Sequence, residues 1–175
     1  MLFVLIFGLL LVNATVEANF KSLFCTIYDK EYGEFLDCKM KAINRYKKTI
    51  NVFYRQLTQA HDVVVRLEFL KKGNVWQPFL YNVSVNLCDL VQKNRNLVAS
   101  IANAYVKPYV TFHNSCPLKK NGWVKGNNYD VSMEQIRNRF PVEPGEYAVR
   151  ITFSENNVPK LSLNASAIYS NFREN

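Results

Sequence analysis

The chain is 175 residues long, 49% hydrophobic and 14% aromatic, and its 22 Lys and Arg outnumber 14 Asp and Glu for a formal charge of +8. That length fits one domain, with apolar residues enough for a real core and no repeat or low-complexity tract to mark a second unit. The positive balance draws anionic lipid surfaces or glycans, but no recognised nucleic-acid motif accompanies it, so nucleic acid is excluded as a partner.

An apolar run from Leu2 to Val12 opens the chain and breaks into Asn13-Ala14-Thr15 and Val16-Glu17-Ala18. The run covers 11 residues, against about 20 needed for a membrane-spanning helix. Compact residues at Val16 and Ala18 suit signal peptidase, which places cleavage after Ala18 and makes residues 1–18 a signal peptide. Residues 19–175 are then expected to form a single secreted, extracellular domain. Losing Glu17 with the leader leaves that domain one unit more positive.

Strand signals dominate the remainder. Phe20 to Asp29 and Phe35 to Asn44 flank the turn-like Lys30-Glu31-Tyr32-Gly33 and read as a hairpin. Ile50, Val52 and Tyr54 alternate with more polar neighbours, as a half-buried strand requires. Asp62 to Leu70 places Val63, Val65, Leu67 and Phe69 on one face, and Lys71-Lys72-Gly73-Asn74 turns the chain into a strand from Trp76 to Cys88. In that strand Tyr81, Val83, Val85 and Leu87 face one way, and Asn82, Ser84 and Asn86 the other.

The pattern then changes period. From Asn96 to Tyr109, apolar residues at Leu97, Val98, Ile101, Ala102, Tyr105, Val106 and Tyr109 follow a helical stripe with Asn96 as its cap. A shorter helix is expected near Ser132, where Gln135 completes a capping box. Alternation returns in Tyr147, Val149, Ile151 and Phe153. Ser154-Glu155-Asn156-Asn157 is a turn, and Leu161, Leu163, Ala165, Ala167 and Tyr169 line the closing strand. These elements predict an all-β fold, an antiparallel two-sheet β-sandwich with one or two short helices.

All four cysteines follow the leader, so an oxidising compartment implies two disulfides. Cys25 with Cys38 would cross the predicted hairpin, and Cys88 with Cys116 would clamp the helical excursion. No cysteine pair has the short spacing of a zinc knuckle, so no metal or other cofactor is expected. Asn82-Val83-Ser84 and Asn164-Ala165-Ser166 are glycosylation acceptors on the polar parity of their strands, where a glycan can project into water. Basic residues crowd at Lys39, Lys41, Arg45, Lys47 and Lys48, and again at Lys119, Lys120 and Lys125.

Catalysis would need a base, a nucleophile or a metal held by partners. Only His61 and His113 are present, neither in a nucleophile elbow, and no Gly-x-Ser-x-Gly or glycine-rich phosphate loop occurs. Glu31 with Glu34, and Glu143 with Glu146, flank turns, where solvation explains them simply. The chain reads as a binder, not an enzyme, with no catalytic residues assigned.

Local patterns also recur in order. They are Cys38-Lys39-Met40-Lys41-Ala42-Ile43-Asn44-Arg45, then Gln77-Pro78-Phe79-Leu80-Tyr81-Asn82-Val83-Ser84-Val85-Asn86-Leu87-Cys88, then His113-Asn114-Ser115-Cys116-Pro117, and Pro144-Gly145-Glu146-Tyr147. The series resembles a large insect family of small secreted proteins labelled domain of unknown function 1091, related to the CheB chemosensory proteins. That family is thought to be related to ML lipid-recognition domains, which include sterol carriers and the ganglioside activator protein. The resemblance implies an immunoglobulin-like sandwich whose sheets part around an acyl chain or sterol, and a link to sensing of cuticular hydrocarbon pheromones. It is carried best by Cys38, Cys88, Cys116 and Pro78-Phe79-Leu80-Tyr81, and it transfers no ligand contacts.

The resulting expectation is a secreted, non-enzymatic carrier or presenter of a small hydrophobic ligand: a lipid, fatty acid or hydrocarbon pheromone. Candidate cavity residues are Val65, Leu67, Phe69, Tyr81, Val83, Val85, Tyr105, Val149, Ile151 and Phe153, each of which would serve equally as ordinary core. Lys and Arg at the rim would meet a carboxylate or phosphate. The alternative is an extracellular interaction module without a cavity, acting through its basic face on a membrane receptor, a glycan or another anionic surface.

Overall fold

The computed structural model describes residues 17–44, 47–92, 97–113, 116–130 and 142–170. Among them the chain forms nine strands and two short helices. The strands are β1 (Glu17–Ile27), β2 (Gly33–Ala42), β3 (Lys48–Gln56), β4 (Val64–Lys72), β5 (Trp76–Asn86), β6 (Val110–His113), β7 (Trp123–Tyr129), β8 (Gly145–Glu155) and β9 (Val158–Ser170). Helices α1 (Leu87–Gln92) and α2 (Leu97–Val106), with a 3-10 turn at Lys107–Tyr109, separate β5 from β6. Residues 1–16 of the expected leader, the Asn96 cap and the helix expected near Ser132 lie outside the described residues, whereas Glu17 and Ala18 begin β1.

Two antiparallel sheets face each other, one ordered β1-β9-β8-β4-β5 and the other β2-β3-β7-β6. The expected all-β two-sheet sandwich is what the chain forms. The hairpins β4–β5 and β8–β9 fall where alternation and turn residues place them. Asn156 and Asn157 both take left-handed backbone, φ 52° and 62°, the pair of conformations a two-residue hairpin turn requires.

The first expected hairpin does not form. β1 pairs with β9 and β2 with β3, so the two strands belong to different sheets. The cause lies in the connection. Asp29 accepts the backbone N–H groups of Glu31 and Tyr32 at 3.1 and 3.3 Å, making a tight turn that drives Tyr32 inward until it is 4% exposed. Burying that ring carries the chain across the end of the sandwich. Gly33 follows because Tyr54 packs against its backbone: a Cβ there would sit 2.0 Å from the phenol oxygen.

Two further boundaries, one helical stripe and two short strands differ from expectation. β4 runs on through Lys71 and Lys72, and the turn is closed by Gly73 N–H donating to Val75 O at 3.1 Å. β5 stops at Asn86, whose side-chain oxygen accepts the N–H groups of Cys88 and Asp89 at 2.9 and 3.3 Å and so caps α1. On α2 the buried residue is Ala99, whereas Leu97, assigned to the inner stripe, is 73% exposed. β6 and β7 went unread, because four residues are too few to show alternation and Trp123–Tyr129 is broken by Lys125, Gly126, Asn127 and Asn128.

The core has two clusters. Tyr32, Tyr54, Ala60, Val63 and Leu161 fill one end, with Ile27, Phe35, Leu87, Leu118 and Phe153 against them. Val65, Leu67 and Ala99 form the other, covered by α1, α2 and β5 through Leu90, Ala102, Val83 and Val85. Cystines fasten both sides. Cys25–Cys38 joins edge strands β1 and β2, and Cys88–Cys116 joins the segment after β5 to the segment after β6, the opposite edges.

Candidate functional site

Cys25 reaches across to the second sheet, so its side of the five-stranded sheet is the inner one. Strand register arranges that face in rows. Val65, Phe153, Leu161 and Ile27 form the row at the filled end, followed by Leu67, Ile151, Leu163 and Cys25. Phe69, Val149, Ala165 and Leu23 come next, and Lys71, Tyr147, Ala167 and Phe20 close the face. Val83 and Val85 extend the first rows onto β5, opposite Leu67 and Val65.

Eight of the ten candidate cavity residues therefore share this face: Val65, Leu67, Phe69, Val83, Val85, Val149, Ile151 and Phe153. Two do not join them. Tyr81 stands beside Leu80, whose φ of 61° belongs to a bulge opposite Phe69, and it is 39% exposed. The bulge breaks the alternation on which its placement depended. Tyr105 is on α2, not on the sheet, and is near enough to the Tyr129 phenol to raise it.

Val65, Leu161 and Leu67 are 2%, 4% and 6% exposed and Phe20, in the closing row, 5%, whereas Phe69, Val149, Ala165 and Leu23 are each half-buried, as are Phe153, Ile27, Ile151 and Leu163. Val149 and Ala165 also border a shallow depression that opens beside Phe24 and Asn164 on the outer face, so part of their exposure lies on that side. The closing row differs at its two ends. On the β1 side, Phe20 lies 5.9 Å from the ring of Tyr129, which Tyr109 meets edge-on at 5.2 Å. Burial, then the neighbouring Tyr109, Asp130 and Tyr105, push the Tyr129 phenol up to about 12.

On the β4 side the row ends in Lys71, which sequence reading had assigned to a turn. Its ammonium is 5.8 Å from the ring centres of both Phe79 and Tyr147, themselves 5.2 Å apart, and it donates to Glu143 Oε2 at 2.8 Å. The Tyr147 hydroxyl holds the Glu143 backbone carbonyl at 2.8 Å. The Lys71–Glu143 side-chain bond lowers the Glu143 carboxyl and raises the Lys71 ammonium from their ordinary values. A cation between two rings, beside half-buried apolar residues, can bind a carboxylate or phosphate.

The outer face of the four-stranded sheet carries a different set. Trp123 stacks on His113 at 5.5 Å and meets Phe53 edge-on at 6.1 Å, with Lys125 Nζ 5.6 Å above Phe53. Of the basic run before it, Lys39 is paired with Asp37 at 3.0 Å and Lys47 with Asp130 at 2.6 Å, so part of the expected basic face is neutralised. His61 offers its backbone N–H to Glu155 at 2.6 Å. Among the described residues, no three His, Cys, Asp or Glu side chains gather as metal ligands, and no helix is long and apolar enough to cross a membrane.

The sequon asparagines sit on the outer face of the five-stranded sheet in one cross-strand row: Asn82, Glu68, Arg150, Asn164 and Phe24. Arg66 Nε donates to Asn82 Oδ1 at 3.1 Å, and Arg150 Nε to Asn164 Oδ1 at 3.2 Å. Glu68 faces both guanidinium groups, at 3.1 Å from Arg66 and 3.8 Å from Arg150.

Comparison with known proteins adds one finding. The family model for a protein of unknown function, DUF1091, matches residues 65–149, from β4 into β8 and including Lys71 and both inner-face valines of β5. No curated protein matches the chain. Over this segment the chain matches the DUF1091 family of proteins of unknown function.

Proposed function

We propose that the protein is a secreted, non-enzymatic carrier or presenter of a small hydrophobic molecule with an anionic head. The observation that carries this reading is the row Phe69, Val149, Ala165 and Leu23, half-buried between two sheets that cystines hold together. Half-buried apolar surface in a fastened sandwich gains by taking up a hydrocarbon chain, at roughly 25 cal/mol for each Å² covered. Lys71 at the end of the face supplies the partner for a carboxylate or phosphate head, in the place Glu143 now occupies. The likeness to ML lipid-recognition domains and to the CheB chemosensory proteins is in keeping with a fatty acid or pheromone as the ligand. The apolar leader supports export.

Native mass spectrometry of gently extracted protein tests the reading, since a carrier emerges with lipid mass attached. Fluorescent fatty acid should bind, and Val149→Trp, which fills the half-buried row, should abolish the signal. Lys71→Met should weaken a fatty-acid probe roughly tenfold and leave a neutral hydrocarbon probe unchanged. A protein that emerges empty and ignores both probes refutes the proposal.

A second reading rests on the outer face of the four-stranded sheet. Trp123, His113 and Phe53 with Lys125 offer an aromatic and basic surface to a glycan or a receptor. Trp123→Ala with Lys125→Ala should then remove partner binding while lipid uptake persists.

A further inference from the structure

Phe24 is 63% exposed in the middle of β1, on the outer face of the five-stranded sheet. Directly across the strand pair stands Asn164, the acceptor of the Asn164-Ala165-Ser166 sequon. Phe24, Trp76 and Leu70 form the apolar side of a shallow depression with a cavity volume of about 100 Å³, and Asn164, Arg150 and Ser166 form its polar side. A free ligand needs more enclosure than this, since small-molecule pockets span about 300–1,000 Å³. A tethered group does not, because attachment holds it at high effective concentration over the surface.

The orientation of the Asn164 amide points to the tether. Only the oxygen of that amide can accept from Arg150 Nε, 3.2 Å away on β8, which identifies it as Oδ1. Oδ1 is thus engaged on the β8 side and Nδ2 is left for the tether, while Phe24 stands opposite Asn164 on the β1 side. We infer that Asn164 carries an N-linked glycan whose first sugar packs on the Phe24 ring and fills this depression. In the transfer, a lipid-linked oligosaccharyl pyrophosphate gives up its sugar: the anomeric C–O bond to phosphate breaks and the Nδ2–C1 bond forms. The Nδ2 proton is lost and the lipid pyrophosphate leaves. Transfer occurs on the extended chain, so the 4% exposure of Ser166 and its 2.6 Å contact with Ser22 Oγ in the folded state are no obstacle.

The C–H face of a pyranose against the Phe24 ring covers an aromatic residue that the described residues leave 63% exposed. Asn82 supplies the contrast within the same row. Its Oδ1 is held by Arg66 on β4, and β5 is the sheet edge, so a glycan there extends past the sheet. The inference rests on the secretory part of the proposed function and is independent of any ligand between the sheets.

The full chain secreted from a eukaryotic host should show glycopeptides at Asn164. Trimmed enzymatically to single sugars, it should melt roughly 2–4 °C above the same sequence made without sugar in a bacterial periplasm. Phe24→Ala should erase that gap, whereas Asn82→Gln should leave it in place. Hydroxyl-radical labelling of Phe24 should fall several-fold in the glycosylated protein, a readout that needs no variant. An unmodified Asn164 in secreted protein, or equal labelling of Phe24 with and without the sugar, overturns the inference. Lipid mass is read separately on the same samples, so loss of the carrier reading and loss of this one are distinguishable.

Discussion

Cys25 and Cys38 lie on different sheets, 13 residues apart in sequence and 6.3 Å between Cα atoms. Their cystine replaces the missing hydrogen bonds between β1 and β2 as the link along that edge. Replacing both by Ser should lower stability by about 3 kcal/mol, the chain-entropy value for such a loop. Replacing Cys88 and Cys116, 28 apart, should cost slightly more. Urea unfolding of each double variant under oxidising conditions measures both. Equal stability of variant and parent would show that the sheets hold without the staple.

Gly33 and Tyr54 form a second dependent pair. The Cβ of Gly33→Ala would lie 2.0 Å from Tyr54 Oη and 2.5 Å from Cζ, inside the filled end of the core. The expected loss is about 1–3 kcal/mol from overpacking. Tyr54→Phe should also destabilise, because Tyr54 Oη donates to Gln56 Oε1 at 2.6 Å and Gln56 is 1% exposed. Its loss leaves a second unpaired atom on Gln56, since Nε2 has no hydrogen-bond partner among the described residues. The double variant should lose less than the sum, because removing the hydroxyl relieves the closest contact. A double-mutant cycle by denaturant unfolding settles the sign.

Alkali should unfold the protein through its buried phenols. Tyr129 is raised from 10 to about 12, first by burial, so its contribution is intact below pH 10 and disappears as pH climbs through 12. That contribution is roughly 3 kcal/mol. Tyr32 is raised to about 12 in the same way, and Tyr54 is raised as well. Tyr129→Phe should flatten the fall in stability between pH 10 and pH 12, followed by circular dichroism. A profile unchanged from the parent would remove the assignment.

Acid acts on the turn that starts β2. Lys160 Nζ bonds Asp29 Oδ2 at 2.8 Å and, ahead of the backbone N–H groups, holds the carboxyl below its ordinary 3.8. The stabilisation is therefore present above pH 3.8 and fades as pH drops below it. Asp29→Asn keeps an acceptor for the Glu31 and Tyr32 N–H groups and loses the ion pair. Parent and variant should differ at pH 7 and converge below pH 3.8 in urea titrations. A constant difference across that range would assign the effect to the turn alone.

Much of the fold is legible in local patterns. Alternation of Val65, Leu67 and Phe69 with Arg66 and Glu68, of Val149, Ile151 and Phe153 with Arg150 and Thr152, and of Val83 and Val85 with Ser84 places eight candidate residues on one face. It fails at Tyr81, because the left-handed Leu80 is invisible to a period of two. Lys71 was missed for a related reason. Two lysines before a glycine look like a turn, and only pairing with Tyr147 shows that the strand continues.

Composition and periodicity by themselves determine strand type, the two later hairpins, the cysteine framework and which side of each strand is greasy. These follow from steric and hydration preferences acting within a few residues. Which sheet a strand joins is decided only in three dimensions. Ser22 and Ser166 meet at 2.6 Å across 144 positions, and β2 leaves β1 because Tyr32 gains more from burial than a planar hairpin would allow. The half-buried inner row, the cation at its end and the phenylalanine opposite Asn164 all arise from that long-range pairing, which no local pattern encodes.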